Sequence, residues 1–193
     1  MESICVYCGS SDDVHDDYLE AAFQMGSIIA KKGFNLIYGG GKTGLMGRVA
    51  DGAVSEGGKV IGVIVSSMNT PNLAQTNLSR LEVTDTIHKR KARMYELSDA
   101  YIALPGGFGT MDELFETLTW AQIGEHHKPV GLLNVHDYFN ELLKFLDHAL
   151  EEGFIFPEHR RNLVCSSDPE QLLGSFHNHQ YSEDAVNRWM RRD

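Results

Sequence analysis

The sequence Ala100-Tyr-Ile-Ala-Leu-Pro-Gly-Gly-Phe-Gly-Thr-Met-Asp-Glu113 joins an apolar run to a turn with three glycines and then to a segment of helical period. The run Ala100–Leu104 has the composition of a buried strand, and the spacing of apolar residues predicts a helix over Thr110–Ile123. A strand that leads through a short turn into a helix is the repeating unit of α/β proteins with a parallel sheet. This stretch therefore favours an α/β fold.

The same alternation of apolar runs and helical segments extends in both directions. Further strands are predicted at Ser3–Cys8, Leu36–Tyr38, Val60–Val65, Val130–Leu133 and Leu163–Cys165. Further helices are predicted at Asp16–Lys32, Leu45–Ser55, Thr86–Ser98, Tyr138–Glu151 and Pro169–Phe176, and Ser66–Ser79 is interpreted as an irregular loop that could border a site. The pattern predicts a Rossmann-like, doubly wound α/β fold with a mostly parallel sheet and helices on both faces. We expect one domain over residues 1–193, in which 178–193 form a charged tail that frays or lies against a partner.

The chain has 193 residues with 17 basic and 27 acidic side chains, which gives a formal net charge of −10. This charge repels polyanions, so non-specific binding to nucleic acid is not expected. No apolar run approaches the roughly 20 residues that a membrane span needs, and the first residues lack the pattern of a secretory signal. The three cysteines are expected to be reduced structural thiols. These features predict a cytoplasmic protein that binds neither membranes nor nucleic acid.

Two glycine turns follow the first two predicted strands. Cys8-Gly9-Ser10-Ser11 can hydrogen-bond a ribose or a phosphate, or it can cap a helix. Gly39-Gly40-Gly41-Lys42-Thr43-Gly44 contains a Gly-Lys-Thr trio, but a P-loop requires a glycine where this chain has Leu36. The pattern of a dinucleotide site is also incomplete. The second turn is therefore interpreted as a place where a ligand approaches the backbone closely.

The third turn, Gly106–Thr110, opens a helix and presents backbone N–H groups beside a hydroxyl, which suits an anion such as a monophosphate. Glu113 then allows two interpretations. Thr-x-x-Glu is the spacing of a capping box, in which Glu113 accepts a hydrogen bond from the Thr110 N–H. Alternatively, Glu113 is a catalytic carboxylate beside the bound anion.

A basic helix at His88–Arg93 favours the catalytic interpretation, because it concentrates cations directly before the strand that leads to the third turn. Arg90 shares one helical face with three apolar residues and is expected to point inward; these are Ile87, Met94 and Leu97. A buried guanidinium needs a carboxylate or a ligand phosphate as its partner.

Four motifs stand in order along the chain: Cys8-Gly9-Ser10-Ser11; Tyr38-Gly39-Gly40-Gly41 with Gly44-Leu45-Met46-Gly47; His88-x-Arg90-Lys91-x-x-Met94; and Pro105-Gly106-Gly107-x-Gly109-Thr110-x-x-Glu113. Together they resemble the LOG (LONELY GUY) family of cytokinin riboside 5′-monophosphate phosphoribohydrolases, many of them once labelled lysine decarboxylases. The resemblance covers about residues 3–176. It departs at Asn72, where many relatives carry an acidic residue, and at Lys42-Thr43; both positions concern the preference for the base or its side chain.

The resemblance implies hydrolysis of the N-glycosidic bond of a nucleoside 5′-monophosphate to a free adenine-type base and ribose 5-phosphate, by a homodimer. Glu113 and Arg90 match the two essential residues of the family, and Glu116 would support Glu113. Substrate or phosphate contacts are expected from Ser10, Gly40, Gly41, Lys91, Gly106, Gly107, Gly109 and Thr110. No cofactor or metal is expected: the histidines show no ligand spacing such as H-E-x-x-H, and His126-His127 is interpreted as a surface pair.

Three alternatives remain open at this point. A lysine decarboxylase would need pyridoxal phosphate on a Schiff-base lysine, and no lysine is marked for that role. A non-enzymatic nucleotide or cofactor carrier would have no need of Arg90 and Glu113. A nucleosidase that turns over AMP or damaged nucleotides would use the same site, with the N6 substituent sensed by the loop Ser66–Ser79.

Overall fold

The computed structural model describes residues 1–181 and 183–190. Its seven strands are all parallel and form one sheet in the order β4-β3-β2-β1-β5-β6-β7. In chain order they are β1 Ser3–Tyr7, β2 Asn35–Tyr38, β3 Val60–Val65, β4 Arg80–Thr84, β5 Ala100–Ala103, β6 Val130–Leu133 and β7 Leu163–Ser166.

Eight α-helices connect and follow these strands in the described part of the chain. They are α1 Asp16–Lys31, α2 Gly44–Ser55, α3 Ile87–Glu96, α4 Phe108–Gln122, α5 Asn140–Glu151, α6 Pro157–Arg161, α7 Pro169–Ser175 and α8 Glu183–Met190. Among the described helices, none has both the length and the apolar character needed to cross a bilayer.

The two faces of the sheet are covered by different helices. On one face, buried residues of α1, α2 and α7 pack on β1 and β2, and Met25, Val49 and Leu172 are fully buried there. On the other face, α3, α4 and α5 pack on the sheet through Met94, Leu114 and other buried apolar residues. This arrangement confirms the predicted Rossmann-like α/β sandwich. It also explains why β3 is apolar at every position, since a strand covered on both faces meets no water.

Several elements differ from the sequence-based prediction. Strand β4 and the short helix α6 were not predicted, because β4 is an edge strand whose sequence Arg-Leu-Glu-Val-Thr lacks an apolar run. Helix α4 begins at Phe108, two residues before the predicted start.

The tail that the sequence predicts to fray or to lie against a partner is helical in its described part. Residues Glu183–Met190 form a helix, and Val186 is buried against Gly124 of the same chain. Residues 182 and 191–193 of the predicted tail lie outside the described part. The interpretation of His126-His127 as a surface pair is wrong for its first member: His126 is buried, and burial lowers its pKa to about 4.

Candidate active site

The three glycine turns come together at the carboxyl ends of β1, β2 and β5. Backbone hydrogen bonds join the first turn to the other two: Gly9 donates to the carbonyl of Pro105 at 3.0 Å, and the carbonyl of Gly9 accepts from Met46 at 3.2 Å. A cavity of about 490 Å³ opens between the turns and α3. Seven predicted site residues line it, namely Ser10, Gly41, Arg90, Gly107, Gly109, Thr110 and Glu113.

Arg90 and Glu113 form a buried ion pair at the floor of this cavity. Arg90 Nη1 donates to Glu113 Oε1 at 2.7 Å, and each side chain is only 11% exposed. The guanidinium also donates from Nε to the carbonyl of Val63 at 2.9 Å, so two fixed partners orient it. The inward-facing arginine predicted from helical periodicity is therefore confirmed, and its partner is a protein carboxylate.

The structure does not support the capping-box interpretation of Glu113. Helix α4 has Gly107 as its N-cap with no side-chain cap, so Thr110 lies inside the helix and cannot frame a box. The carboxylate of Glu113 is instead turned into the cavity toward Arg90. Burial raises the pKa of Glu113 against the opposing effect of Arg90, so its charged form is stabilised less than in water.

Beside this pair, the N-terminus of α4 faces the cavity with backbone N–H groups of the kind that suit an anion. The first N–H groups of a helix lack intrahelical acceptors, and here they belong to a turn in which added Cβ atoms at Gly107 and Gly109 would meet only open space. The hydroxyl of Thr110 adjoins them, although Thr110 itself is buried. The backbone is therefore open to the close approach of a ligand, and phosphate binding at this turn stays a prediction.

Two predicted contact residues keep the turns in shape without lining this cavity. Gly40 has a φ of +76° and its carbonyl accepts from Gln75. Gly106 packs against the backbone of Gly9, and it lines a second cavity of about 330 Å³ that shares Gly9, Ser10 and Gly107 with the first.

Lys91 and Glu116 are not placed at the cavity. The ammonium of Lys91 lies 3.0 Å from Asp112 Oδ2 and 3.0 Å from Glu116 Oε1, which ties α3 to α4. Burial by itself would lower the pKa of Lys91, but the two carboxylates outweigh it and raise the pKa. Glu116 therefore partners Lys91 and does not support Glu113.

The sequence analysis did not identify the apolar part of the cavity. Six apolar side chains line it, of which Phe108 is 98% exposed, and Met68, Leu73 and Ile87 are also largely exposed; the others are Met46 and Ile64. Only the loop Ser66–Ser79 had been singled out as bordering a site. It is held over the second turn by backbone hydrogen bonds, among them Lys42 to Leu73.

Comparison with known proteins identifies the family of this chain. The model of a family described as "possible lysine decarboxylase" matches residues 46–176. A probable cytokinin riboside 5′-monophosphate phosphoribohydrolase, LOGL3 from Oryza sativa subsp. japonica, is 44% identical over 182 residues, which cover 94% of this chain and 86% of that protein. The corresponding enzyme LOG7 of Arabidopsis thaliana is 44% identical over 96% of this chain and 86% of its own. The chain belongs to the LOG family.

Solved structures of the same fold include carriers. A molybdenum cofactor binding protein from Rippkaea orientalis superimposes with a TM-score of 0.70 at 26% identity, covering 92% of this chain and 97% of that one. The molybdenum cofactor carrier protein of Chlamydomonas reinhardtii gives a TM-score of 0.68 over 92% of this chain and 96% of its own, and at 23% identity this shows the shared fold alone.

The residues of this LOG chain do not fit a decarboxylase that uses pyridoxal phosphate. Such an enzyme holds its cofactor on a Schiff-base lysine. Among the described residues that line the cavity there is no lysine. Lys91, adjacent to Arg90 along the chain, is engaged by two carboxylates outside the cavity.

Proposed function

We propose that this protein hydrolyses the N-glycosidic bond of adenosine 5′-monophosphates, including N6-modified ones, and releases the free base and ribose 5-phosphate. The observation that carries the proposal is the buried Arg90–Glu113 pair in a cavity whose neighbouring wall is a helix N-terminus built for an anion. The names of the LOG relatives support the same reaction.

Glu113 supplies the charge that the transition state needs. When the bond between C1′ and the base breaks, its electron pair leaves with the base and positive charge develops on the ribose. A carboxylate held beside C1′ stabilises that charge and orients the attacking water. One water is consumed: its hydroxyl ends on C1′ and its proton on the base.

Arg90 acts mainly by positioning Glu113. Its Nη1 and Nε are already committed to Glu113 and to the carbonyl of Val63. The 5′-phosphate is then bound by the N–H groups of the Gly107–Thr110 turn, with Ser10 and Gly41 completing the wall. Anchoring the phosphate fixes the distance between C1′ and Glu113, and such positioning can supply a large part of a rate enhancement.

The apolar rim of the cavity supports a base that carries an apolar substituent. Met68 and Leu73 belong to the loop held over the second turn, and Ile87 and Phe108 face the cavity from α3 and α4. Burying an apolar group against them is favourable by about 25 cal/mol per Å². The rim therefore favours an N6 side chain over the bare amino group of AMP.

The chain is proposed to work as a homodimer in the cytoplasm. A stripe on α4 leaves Phe108 and Phe115 exposed, with Met111 half-buried between them and Leu118 half-buried one turn after Phe115. Residues spaced by three and four share one helical face, and a second copy on this stripe would also close the mouth of the cavity at Phe108. The three cysteines are free thiols, which is typical of a reducing compartment.

The deciding experiment is a chromatographic assay of the purified protein with AMP, isopentenyladenosine monophosphate and their unphosphorylated nucleosides. We expect free base from both monophosphates, faster turnover of the N6-substituted one, and little from the nucleosides, because they cannot use the α4 anchor. Tight binding of nucleotides without release of base would instead support a non-enzymatic binding function, of the kind named for the structural neighbour from Rippkaea orientalis. Equal turnover of adenosine and AMP would contradict the role assigned to the phosphate.

A further inference from the structure

Three side chains of types that can bind a metal lie close together outside the cavity, where the start of α1 meets the turn after β6. It consists of His15, Asp17 and His136, whose ligand atoms all lie within 4.8 Å of one another. Asp17 Oδ2 is 2.6 Å from His136 Nε2 and 3.4 Å from His15 Nδ1. No local sequence pattern marks this group, because His136 is 119 residues from Asp17 along the chain.

We propose that His15, Asp17 and His136 bind one divalent transition-metal ion of the Zn²⁺ class, separate from the hydrolytic site. Two imidazoles and one carboxylate are a donor set that Zn²⁺ accepts, at bond lengths of about 2.0–2.2 Å. Tetrahedral ligands at that distance are roughly 3.3 Å apart. The His15–Asp17 separation already matches this value, and the Asp17–His136 contact needs to open by less than an ångström.

An ion would replace hydrogen bonds that the cluster now makes. Nδ1 of His15 accepts from the Asp17 backbone N–H at 3.3 Å, so its single lone pair would have to turn from that N–H to the ion. Nε2 of His136 contacts Asp17 Oδ2, which is also the carboxylate oxygen that lies near His15 Nδ1. All three side chains are more than half exposed, so they can adjust by small rotations, and the acidic chain attracts a cation.

Binding would join two segments that are distant in sequence. His15 is the N-cap of α1, and His136 lies in a turn whose next aromatic residue, Tyr138, donates to the carbonyl of Gly106 at 2.8 Å. Three protein ligands leave a fourth coordination position open to water. The ion would therefore fix this turn, and it would stabilise the folded chain by mass action because the ligands are not assembled in the unfolded state.

The test is calorimetric titration of the full chain, freed of any affinity tag, with Zn²⁺ in a buffer that does not chelate it. We expect one ion per chain and an affinity at least about tenfold weaker in each of His15→Asn, Asp17→Asn and His136→Asn. Asparagine tolerates the left-handed backbone of His136, where φ is 48°, so that variant removes the ligand without straining the turn. The Tm should rise with Zn²⁺ in the wild type and not in these variants.

The matched control is His148→Asn on α5, an exposed histidine outside the cluster, which should bind Zn²⁺ as the wild type does. Loss of binding in this control, or unchanged binding in all three cluster variants, would place the ion elsewhere and overturn the proposal. The absence of any saturable binding in the wild type would overturn it as well.

Discussion

The carboxylate of Glu113 occupies surroundings that disfavour its charge, apart from the Arg90 guanidinium and the Lys91 ammonium. Its side chain is 11% exposed, accepts from Arg90 at 2.7 Å and faces a cavity rather than the helix backbone. A carboxylate that only closed a helix end would lie at the surface, where its charge costs little. At Glu113, by contrast, a charge that develops on a ligand would interact strongly with the carboxylate, because little water screens the interaction.

Replacing this carboxylate with an amide separates the two interpretations of Glu113. We expect Glu113→Gln to lower kcat on a nucleoside 5′-monophosphate by about a hundredfold or more, since the isosteric change removes the charge that stabilises the oxocarbenium-like state. The amide oxygen still accepts from Arg90. The free energy of unfolding should therefore fall by less than about 3 kcal/mol, which is typical of breaking a buried ion pair. Steady-state kinetics and thermal unfolding measure the two effects.

The control for this variant is Glu116→Gln, one turn later on α4 and paired with Lys91 outside the cavity. It should keep kcat within a few-fold of the wild type. Near-normal kcat in Glu113→Gln would return that residue to a structural role.

The raised pKa of Glu113 sets the direction of the pH dependence. Burial favours the protonated form, whereas the mechanism needs the carboxylate, so activity should be lost as the pH falls through the raised pKa. The acid limb of kcat/KM should therefore have its midpoint above the value of about 4.3 for an unperturbed glutamate. Circular dichroism over the same range checks that the fold persists. A midpoint at or below that value, with the protein still folded, would mean that Glu113 is not the group that must be ionised.

At the scale of elements, the site depends on how closely the end of β2 approaches α3. A Cβ on Gly39 would overlap Arg90 Nη2 and the Cε of Met46, so only a glycine lets the guanidinium lie across the turn. The φ of Gly39 is not in the left-handed region, so an alanine there is tolerated by the backbone itself. The requirement at this position is space for Arg90.

Gly39→Ala should therefore displace Arg90 and misplace Glu113 without unfolding the chain. We expect kcat to drop by at least about tenfold, because small misplacements of catalytic groups are costly. Gly174→Ala in α7 is the matched control, since its Cβ meets nothing within 4 Å, and it should leave kcat unchanged. Unchanged kcat in Gly39→Ala would show that the position of Arg90 does not limit the reaction.

Elements also show where sequence patterns were insufficient. The apolar runs predicted six of the seven strands, but the alternation Arg-Leu-Glu-Val-Thr of β4 reflects an edge position that only its pairing with β3 reveals. The start of α4 at Phe108 was missed because Thr110 fits the pattern of a cap. In both cases the local sequence pattern was compatible with two structures, and the fold as a whole selected one of them.

At the scale of the whole molecule, the exposed stripe on α4 predicts a dimer whose loss affects catalysis. Phe115 and Leu118 also line a groove of about 90 Å³ with Leu146 and Ile155, which extends the apolar surface that the stripe offers to a second copy. Phe115→Glu places a charge in this surface and should convert the dimer to a monomer with lower activity. Light scattering after gel filtration and specific activity across a dilution series measure both.

The control is Val83→Glu, an exposed apolar position on the edge strand β4. It should leave the mass and the activity as they are in the wild type. A wild-type monomer with full activity would contradict the dimer.

The sequence by itself determined the α/β sandwich, the three glycine turns and the inward direction of Arg90, because periodicity and glycine composition are local properties of the chain. It also allowed two roles for Glu113 and favoured the catalytic one, because a basic helix precedes the strand that leads to the third turn. Only the tertiary structure decided that Glu113 pairs with Arg90, that Lys91 binds Asp112 and Glu116, and that His136 meets Asp17. These contacts join residues from 21 to 119 positions apart. Which charged side chains come into contact depends on the order of the strands in the sheet, and no local sequence pattern contains that order.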